Sequence, residues 1–311
     1  MDTYIAVDIG GTHIRVAVYP AEGIEPLQVK RIHTIGKKET PIERLTDLIA
    51  ELWPKGDHVR AIGVAAPGYL DPKVGIVILA VNIPGWVNFP LRQKIQEKFD
   101  VPVMLGNDAN LAALGEWRYG AARGHHNVLY LTISTGIGGG VIINDSLLLG
   151  HRGLAAELGH LTVLPEGPLC SCGHRGHLEA LASGPAIARY AAEQLAVGAS
   201  SILKKDPPPT AYDVSLAAQA GDELARETFA YAGRYLGIGV ANLVVTFNPS
   251  IIVLGGGVSN SGALLLDPMK ASLNRHVLSP EYVHDLAIVP AELGDDAGLV
   301  GALALAHTAA L

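Results

Sequence analysis

A run of apolar, β-branched residues, a glycine turn and a second apolar run open this chain, and the same pattern returns more than a hundred residues later. Tyr4–Ile9 leads into Gly10-Gly11, and Ile14–Tyr19 reads as the returning strand. Val128–Ser134 leads into Gly136-Ile137-Gly138-Gly139-Gly140, and Val141–Ile143 returns. Period-two apolar runs joined by glycine predict hairpins. Two such hairpins so far apart predict an internal duplication, each half an α/β domain built on a mixed sheet.

The intervening patterns fit that frame. Leu27–Thr34, Val59–Ala65, Val101–Leu105 and Ile251–Leu254 read as strands, and Ile42–Trp53, Leu91–Phe99 and Ala109–Tyr119 carry helical apolar spacing. Ala217–Val245 reads as largely helical, and Gly298–Ala310 as a closing helix of small residues. Lys205–Thr210, with three consecutive prolines, is a loop. At 311 residues and 49% hydrophobic, the chain has ample core for two domains. No apolar run approaches the ~20 residues of a membrane span. The first residues enter a strand pattern at once, so the expectation is a cytoplasmic protein with no signal peptide and no membrane partner. A net charge of −7 argues against nucleic acid as the main partner.

Three strand ends carry glycine clusters: Asp8-Ile9-Gly10-Gly11-Thr12, Ser134-Thr135-Gly136, and Gly255-Gly256-Gly257. Without a Cβ, backbone N–H groups can close on an anion, and the hydroxyls of Thr12 and Thr135 add donors. One such motif is an ordinary tight turn; three of them, with Asp8 beside one, point to a cradle for nucleotide phosphates. The Gly136 stretch leads into a strand and lacks the Gly-x-Gly-x-x-Gly register, and no Gly-Lys-Ser/Thr follows, so neither a dinucleotide fold nor a P-loop is expected. Asn107-Asp108 follows a strand and opens a helix, a place for an N-cap and also for a carboxylate base. The only two cysteines, Cys170 and Cys172, sit in one tight loop with His174 and His177 behind them. A strained Cys-x-Cys disulfide, coincidence in a surface loop, and a tetrahedral zinc site all remain open on spacing alone.

Asp8–Thr12, the stretch Leu131–His160 and the Cys170–Glu179 loop, taken in order, resemble the ROK family of sugar kinases and repressors across essentially the whole chain. The resemblance implies the actin-like ATPase (ribonuclease H-like) fold: two α/β domains with a cleft between them, residues 1–117 joined by about 298–311, and residues 118–297. It implies an ATP-dependent hexose kinase acting on the 6-hydroxyl of glucose, a step of carbohydrate metabolism, with Asp108 as general base. Asn107, Asp108, Glu157, His160, Glu179 and Asn82 would bind the sugar. Asp8, Gly10, Gly11, Thr12, Thr135 and Gly136 would hold ATP phosphates with Mg²⁺ near Asp8, and Gly255, Gly256 and Gly257 would line the adenosine. A structural Zn²⁺ would be held by His160, Cys170, Cys172 and His177. His177 stands where the family pattern has a third cysteine, and His174 is the reserve ligand. A homodimer, or a tetramer, is the implied assembly. The alternatives are an N-acetylhexosamine or fructose kinase and a sugar-responsive regulator or sugar-binding protein. The regulators carry an N-terminal helix-turn-helix, and a first strand at Tyr4 is expected to leave no room for one.

Overall fold

The structure is a computed structural model that describes residues 1–310; Leu311, the last position of the segment expected to join the first domain, lies outside the described residues. In chain order the strands are β1 Asp2–Ile9, β2 His13–Pro20, β3 Gln28–His33, β4 His58–Ala66, β5 Tyr69–Asp71, β6 Ile76–Leu79, β7 Val87–Phe89, β8 Val103–Asn107, β9 Val128–Ile133, β10 Ile137–Ile143, β11 Ser146–Leu147, β12 Ile251–Gly255 and β13 Ala287–Pro290. The helices are α1 Pro41–Leu52, α2 Leu91–Phe99, α3 Asp108–Tyr119, α4 Glu179–Ala182, α5 Gly184–Ala196, α6 Ala211–Gln219, α7 Glu223–Phe247, α8 Ala263–His276 and α9 Ala297–His307.

The duplication inferred from the two hairpins is visible in the sheets. One has the order β3-β2-β1-β4-β8 and the other β11-β10-β9-β12-β13. In the first, β1 pairs antiparallel with β2 and parallel with β4. In the second, β12 runs parallel to both β9 and β13. Each sheet thus begins with a hairpin and continues with parallel strands. Residues 1–125, 140–156 and 291–311 form one compact unit, and residues 126–139 and 157–290 form the other. The division runs through β10.

In the first unit, α1 is capped at Thr40 by a reciprocal capping box with Glu43, and it buries Leu45, Leu48, Ile49 and Leu52. These join Ile5, Val7, Ile14, Val16, Ile62 and Val64 in one apolar core. Helix α9 is apolar on every side, the mark of a helix with no solvent face. It packs on α3, β1 and β4. Its small residues serve backbone-to-backbone approach: a Cβ on Gly115 of α3 would stand 2.8 Å from the Ala297 carbonyl oxygen.

The largely helical stretch expected over Ala217–Val245 is helical in two pieces. Helix α6 ends at Gln219, Gly221 takes a positive φ, and the Asp222 carboxylate caps the first turn of α7 by accepting from Ala225 N. The glycines 138–140 lie inside β10 rather than in the turn before it. They thin the strand, since a Cβ on Gly139 would stand 2.5 Å from Leu158 Cδ1. The three-stranded sheet β5-β6-β7 and the elements α8 and β13 have no counterpart in the sequence reading.

Candidate active site and metal centre

Within the first unit, the turn Gly10–Thr12 is closed by Gly10 N donating to His13 O at 2.8 Å. Thr34, at the end of β3, fastens it from outside: its Oγ1 donates to Gly10 O at 2.6 Å and its N–H to Thr12 O at 2.9 Å. Asn82 lies against the same turn, for a Cβ on Gly11 would stand 2.9 Å from Asn82 Cβ. Asp8 is half-buried and receives two N–H groups of Arg15, Nη2 at 2.8 Å and Nε at 3.2 Å.

Asn107 ends β8 and is the N-cap of α3. Its Oδ1 accepts from Ala109 N at 3.0 Å and Asn110 N at 3.1 Å, while its Nδ2 donates to Gly68 O at 3.2 Å. Asp108 is the first helical residue, and its Oδ1 accepts from Ala109 N at 2.8 Å. The carboxylate therefore sits at the positive end of the helix dipole. Sequence reasoning offered a cap or a base at this dipeptide; the cap falls on Asn107, which leaves Asp108 as the first residue of the helix.

In the second unit, Glu179 opens α4 and reaches back to the β9–β10 turn. Its Oε2 accepts from Ile137 N at 3.1 Å, and its Oε1 accepts from Ser171 Oγ at 2.7 Å and from Cys170 Sγ at 3.5 Å. A Cβ on Gly136 would stand 2.5 Å from Glu179 Oε2. The glycine at 136 thus makes room for a carboxylate, a constraint the phosphate-cradle reading did not contain. Ser134 and Thr135 are exposed at the tip of this turn. Of the third cluster, Gly255 faces Tyr130 Oη and Gly256 takes φ +84° against Ile133, whereas Gly257 has open space where a Cβ would be.

Glu157 precedes the short helical turn Leu158–His160. Desolvation by surrounding protein raises the pKa of its carboxyl although the residue keeps exposed surface; His160 opposes the rise and Glu179 adds to it. The residue before it, Ala156, has φ +70°. A non-glycine residue held there stores ~1–3 kcal/mol of backbone strain, the kind found where a functional side chain is aimed.

His160, Cys170, Cys172 and His177 converge, each offering a ligand atom within 4.8 Å of the others. His160 Nδ1 and His177 Nδ1 are 3.3 Å apart, Cys170 Sγ is 3.7 Å from His160 Nδ1, and Cys172 Sγ is 3.2 Å from His177 Nδ1. Tetrahedral zinc with bonds of about 2.0–2.3 Å spaces its ligands by roughly 3.3–3.8 Å, so three of the spacings lie at or close to that range. The two cysteines are free, not a disulfide. His174 stands outside the four, its ring 5.9 Å from that of His177. Burial pushes the Cys170 thiol up to about 11, and burial followed by the neighbouring His160 lowers His177. A divalent cation is the ligand that converts such a thiol to thiolate and takes a neutral imidazole. The loop is shaped for this by Cys170 N donating to His174 O at 2.7 Å and Gly173 N to Cys170 O at 3.0 Å.

Two residues missed in the sequence matter here. Arg15 lies directly across the first hairpin from Asp8, a pairing that hairpin register could have revealed. Glu116 is fully buried in α3. It accepts from Ala121 N at 2.9 Å, Leu293 N at 2.8 Å and Glu292 N at 3.2 Å, pinning the segment that leads into α9. An acid inside a helical pattern carries no sign of that in sequence.

A glucokinase of Streptomyces coelicolor is 38% identical over 99% of this chain and 98% of its own length. A xylose repressor of Bacillus subtilis is 32% identical over 96% of this chain and 75% of its own length. Among solved structures, a ROK family glucokinase from Streptomyces griseus in complex with glucose and AMPPNP is 38% identical, with a TM-score of 0.81 over 98% of this chain and 99% of that one. The two mixed sheets are those of the actin-like ATPase fold. The model of the ROK family matches residues 4–309, and the chain belongs to that family.

Proposed function

We propose that the protein is an ATP-dependent glucose kinase that transfers the γ-phosphoryl group to the 6-hydroxyl. The observation that carries this reading is the likeness, over nearly the full length of both chains, to a glucokinase structure holding glucose and AMPPNP. Asp108 is the proposed general base, its carboxylate fixed in the first turn of α3 by Ala109 N. It accepts the proton of the sugar hydroxyl as that oxygen attacks phosphorus. Asn107, Glu157, His160, Glu179 and Asn82 are proposed to hold the hexose, since carboxylates and amides bridge adjacent hydroxyls. Gly10–Thr12, Thr135 and Gly136 would receive the phosphates, and Gly255–Gly257 the adenosine.

Asp8 Oδ2 is engaged by Arg15, and the Asp8 carboxylate would hold Mg²⁺. The metal supplies neutralisation of charge on the terminal phosphates. The four-ligand cluster fits zinc in donor type and spacing, and a closed four-protein-ligand site is structural. It would fix His160 and the loop that delivers Glu179. Among the described residues, no helix is long and apolar enough to cross a membrane. A cytoplasmic homodimer or tetramer is the accompanying expectation, checked by light scattering and fractionation.

A coupled assay across glucose, fructose, mannose, N-acetylglucosamine and N-acetylmannosamine, with ATP and with polyphosphate, tests the reading. Glucose with ATP should give the highest kcat/KM. Asp108→Asn should keep glucose affinity and lose about 10²–10⁴ in kcat. Glucose binding without turnover on any sugar would favour the regulator, the reading supported by the xylose repressor likeness.

A further inference from the structure

We infer that Arg15 is a positioning residue for the nucleotide: it fixes the Asp8 carboxylate and supplies the counter-charge that lets a phosphate chain lie beside it. This rests on the proposed placement of phosphates at Asp8 and Gly10–Thr12.

The hairpin register sets Arg15 directly opposite Asp8. Its guanidinium then serves three acceptors. Nη2 and Nε donate to Asp8 Oδ2, Nη1 donates to Asp296 Oδ1 at 3.0 Å, and Nη2 also meets the Asp295 carbonyl. Both bonds to Asp8 fall on one oxygen, so the carboxylate is held without its second oxygen being spent. The approach is closed from the other side by α9. A Cβ on Gly298 would stand 3.1 Å from Asp8 Oδ2 and 3.2 Å from Oδ1, so the first turn of the helix comes down onto the carboxylate itself.

Charge decides what this arrangement is for. The Arg15 and Asp8 side chains are 20% and 22% exposed, so their pair is only partly screened, while Asp296 is 69% exposed. Without Arg15, two carboxylates would stand uncompensated beside a turn that is to receive anions. With it, the Asp8 negative charge is balanced and its position is fixed in advance of nucleotide binding. Arginine suits the task because its planar fork reaches several acceptors at once; a lysine is a point charge and can serve only part of the set.

Calorimetric titration of Mg²⁺–AMPPNP and, separately, of glucose into five proteins tests this: wild type, Arg15→Met, Arg15→Lys, Asp296→Asn and Asp8→Asn. Arg15→Met should raise the nucleotide Kd by about ten-fold or more and leave the glucose Kd within about two-fold. Arg15→Lys, which keeps the charge, should recover most of the loss. Asp296→Asn removes a competing negative charge, so nucleotide affinity should be tighter, a direction that a merely structural role for the pair would not give. If Asp8→Asn weakens nucleotide binding but Arg15→Met does not, the role of Arg15 is overturned and the placement of the phosphates stands. Unchanged nucleotide affinity in Asp8→Asn would overturn that placement and this inference with it. Parallel loss of glucose and nucleotide binding in Arg15→Met, unrelieved by lysine, would reduce Arg15 to a support of the fold.

Discussion

Gly136→Ala separates two explanations of one glycine. The added Cβ would start 2.5 Å from Glu179 Oε2, and ordinary contact requires about 3.5 Å, so the carboxylate must retreat by roughly 1 Å. That retreat breaks its bond from Ile137 N, now 3.1 Å, and turns Oε1 away from Ser171 Oγ, now 2.7 Å. The side chain is flexible at its end, so stability should fall only by about the worth of one hydrogen bond to a charged group, roughly 1.5–3 kcal/mol. A sugar hydroxyl held by the displaced carboxylate loses a bond of the same kind, which is about ten- to a hundred-fold in glucose affinity. Mg²⁺–AMPPNP affinity should shift by less than about three-fold, because a methyl group here points at Glu179. Titration of both ligands into wild type and Gly136→Ala, with melting temperatures alongside, reads the split. Collapse of nucleotide binding with glucose affinity intact would refute the reasoning and show that the added methyl group obstructs the phosphates rather than Glu179.

Other outcomes follow from the same coordinates. His177→Ala should lower bound zinc, read by elemental analysis, and glucose affinity together, whereas His174→Ala should change neither and His177→Cys should preserve both. Glu116→Gln keeps the shape but offers one acceptor oxygen to three backbone donors; it should cost about 2–4 kcal/mol and lower the melting temperature by several degrees. His307 is half-buried, its Nε2 atom is enclosed without a hydrogen-bond partner, and desolvation lowers its pKa below the usual 6.5. The unfolded chain therefore binds the extra proton first, so this group removes stability as pH falls through about 6.5 and none above it. The fall in melting temperature from pH 7.5 to 5.5 should be smaller in His307→Phe than in wild type.

What could be read in advance follows the range over which each signal acts. The hairpins, the parallel strands and the cap at Asn107 are local patterns, and the sequence displays them within a few residues. Cys170, Cys172 and His177 share one loop, so their grouping was legible locally, whereas His160 joined them only through the family resemblance. Gly136 and Glu179 are forty-three residues apart in sequence, and nothing local says that the first is small to admit the second. The break between α6 and α7 went unmarked because apolar periodicity continues across it, and only Gly221 and the Asp222 cap signal it. The positive φ at Ala156 has no sequence sign at all, since alanine is not chosen for that conformation.

Helix α9 completes a sheet whose strands come from the other end of the chain, and this bears on how the molecule is made. Strands β1 to β8 leave the ribosome first, but the apolar helix that covers them at β1 and β4 is translated only after the whole second unit. At about 5–20 residues per second, the delay between β8 and α9 is roughly 10–40 s. The second unit is synthesised during that time and has all of its chain just before α9 is made, while the first waits with one face of its sheet uncovered. The first unit therefore makes its greatest demand for chaperones before α9 is translated, and the arrival of that helix relieves it.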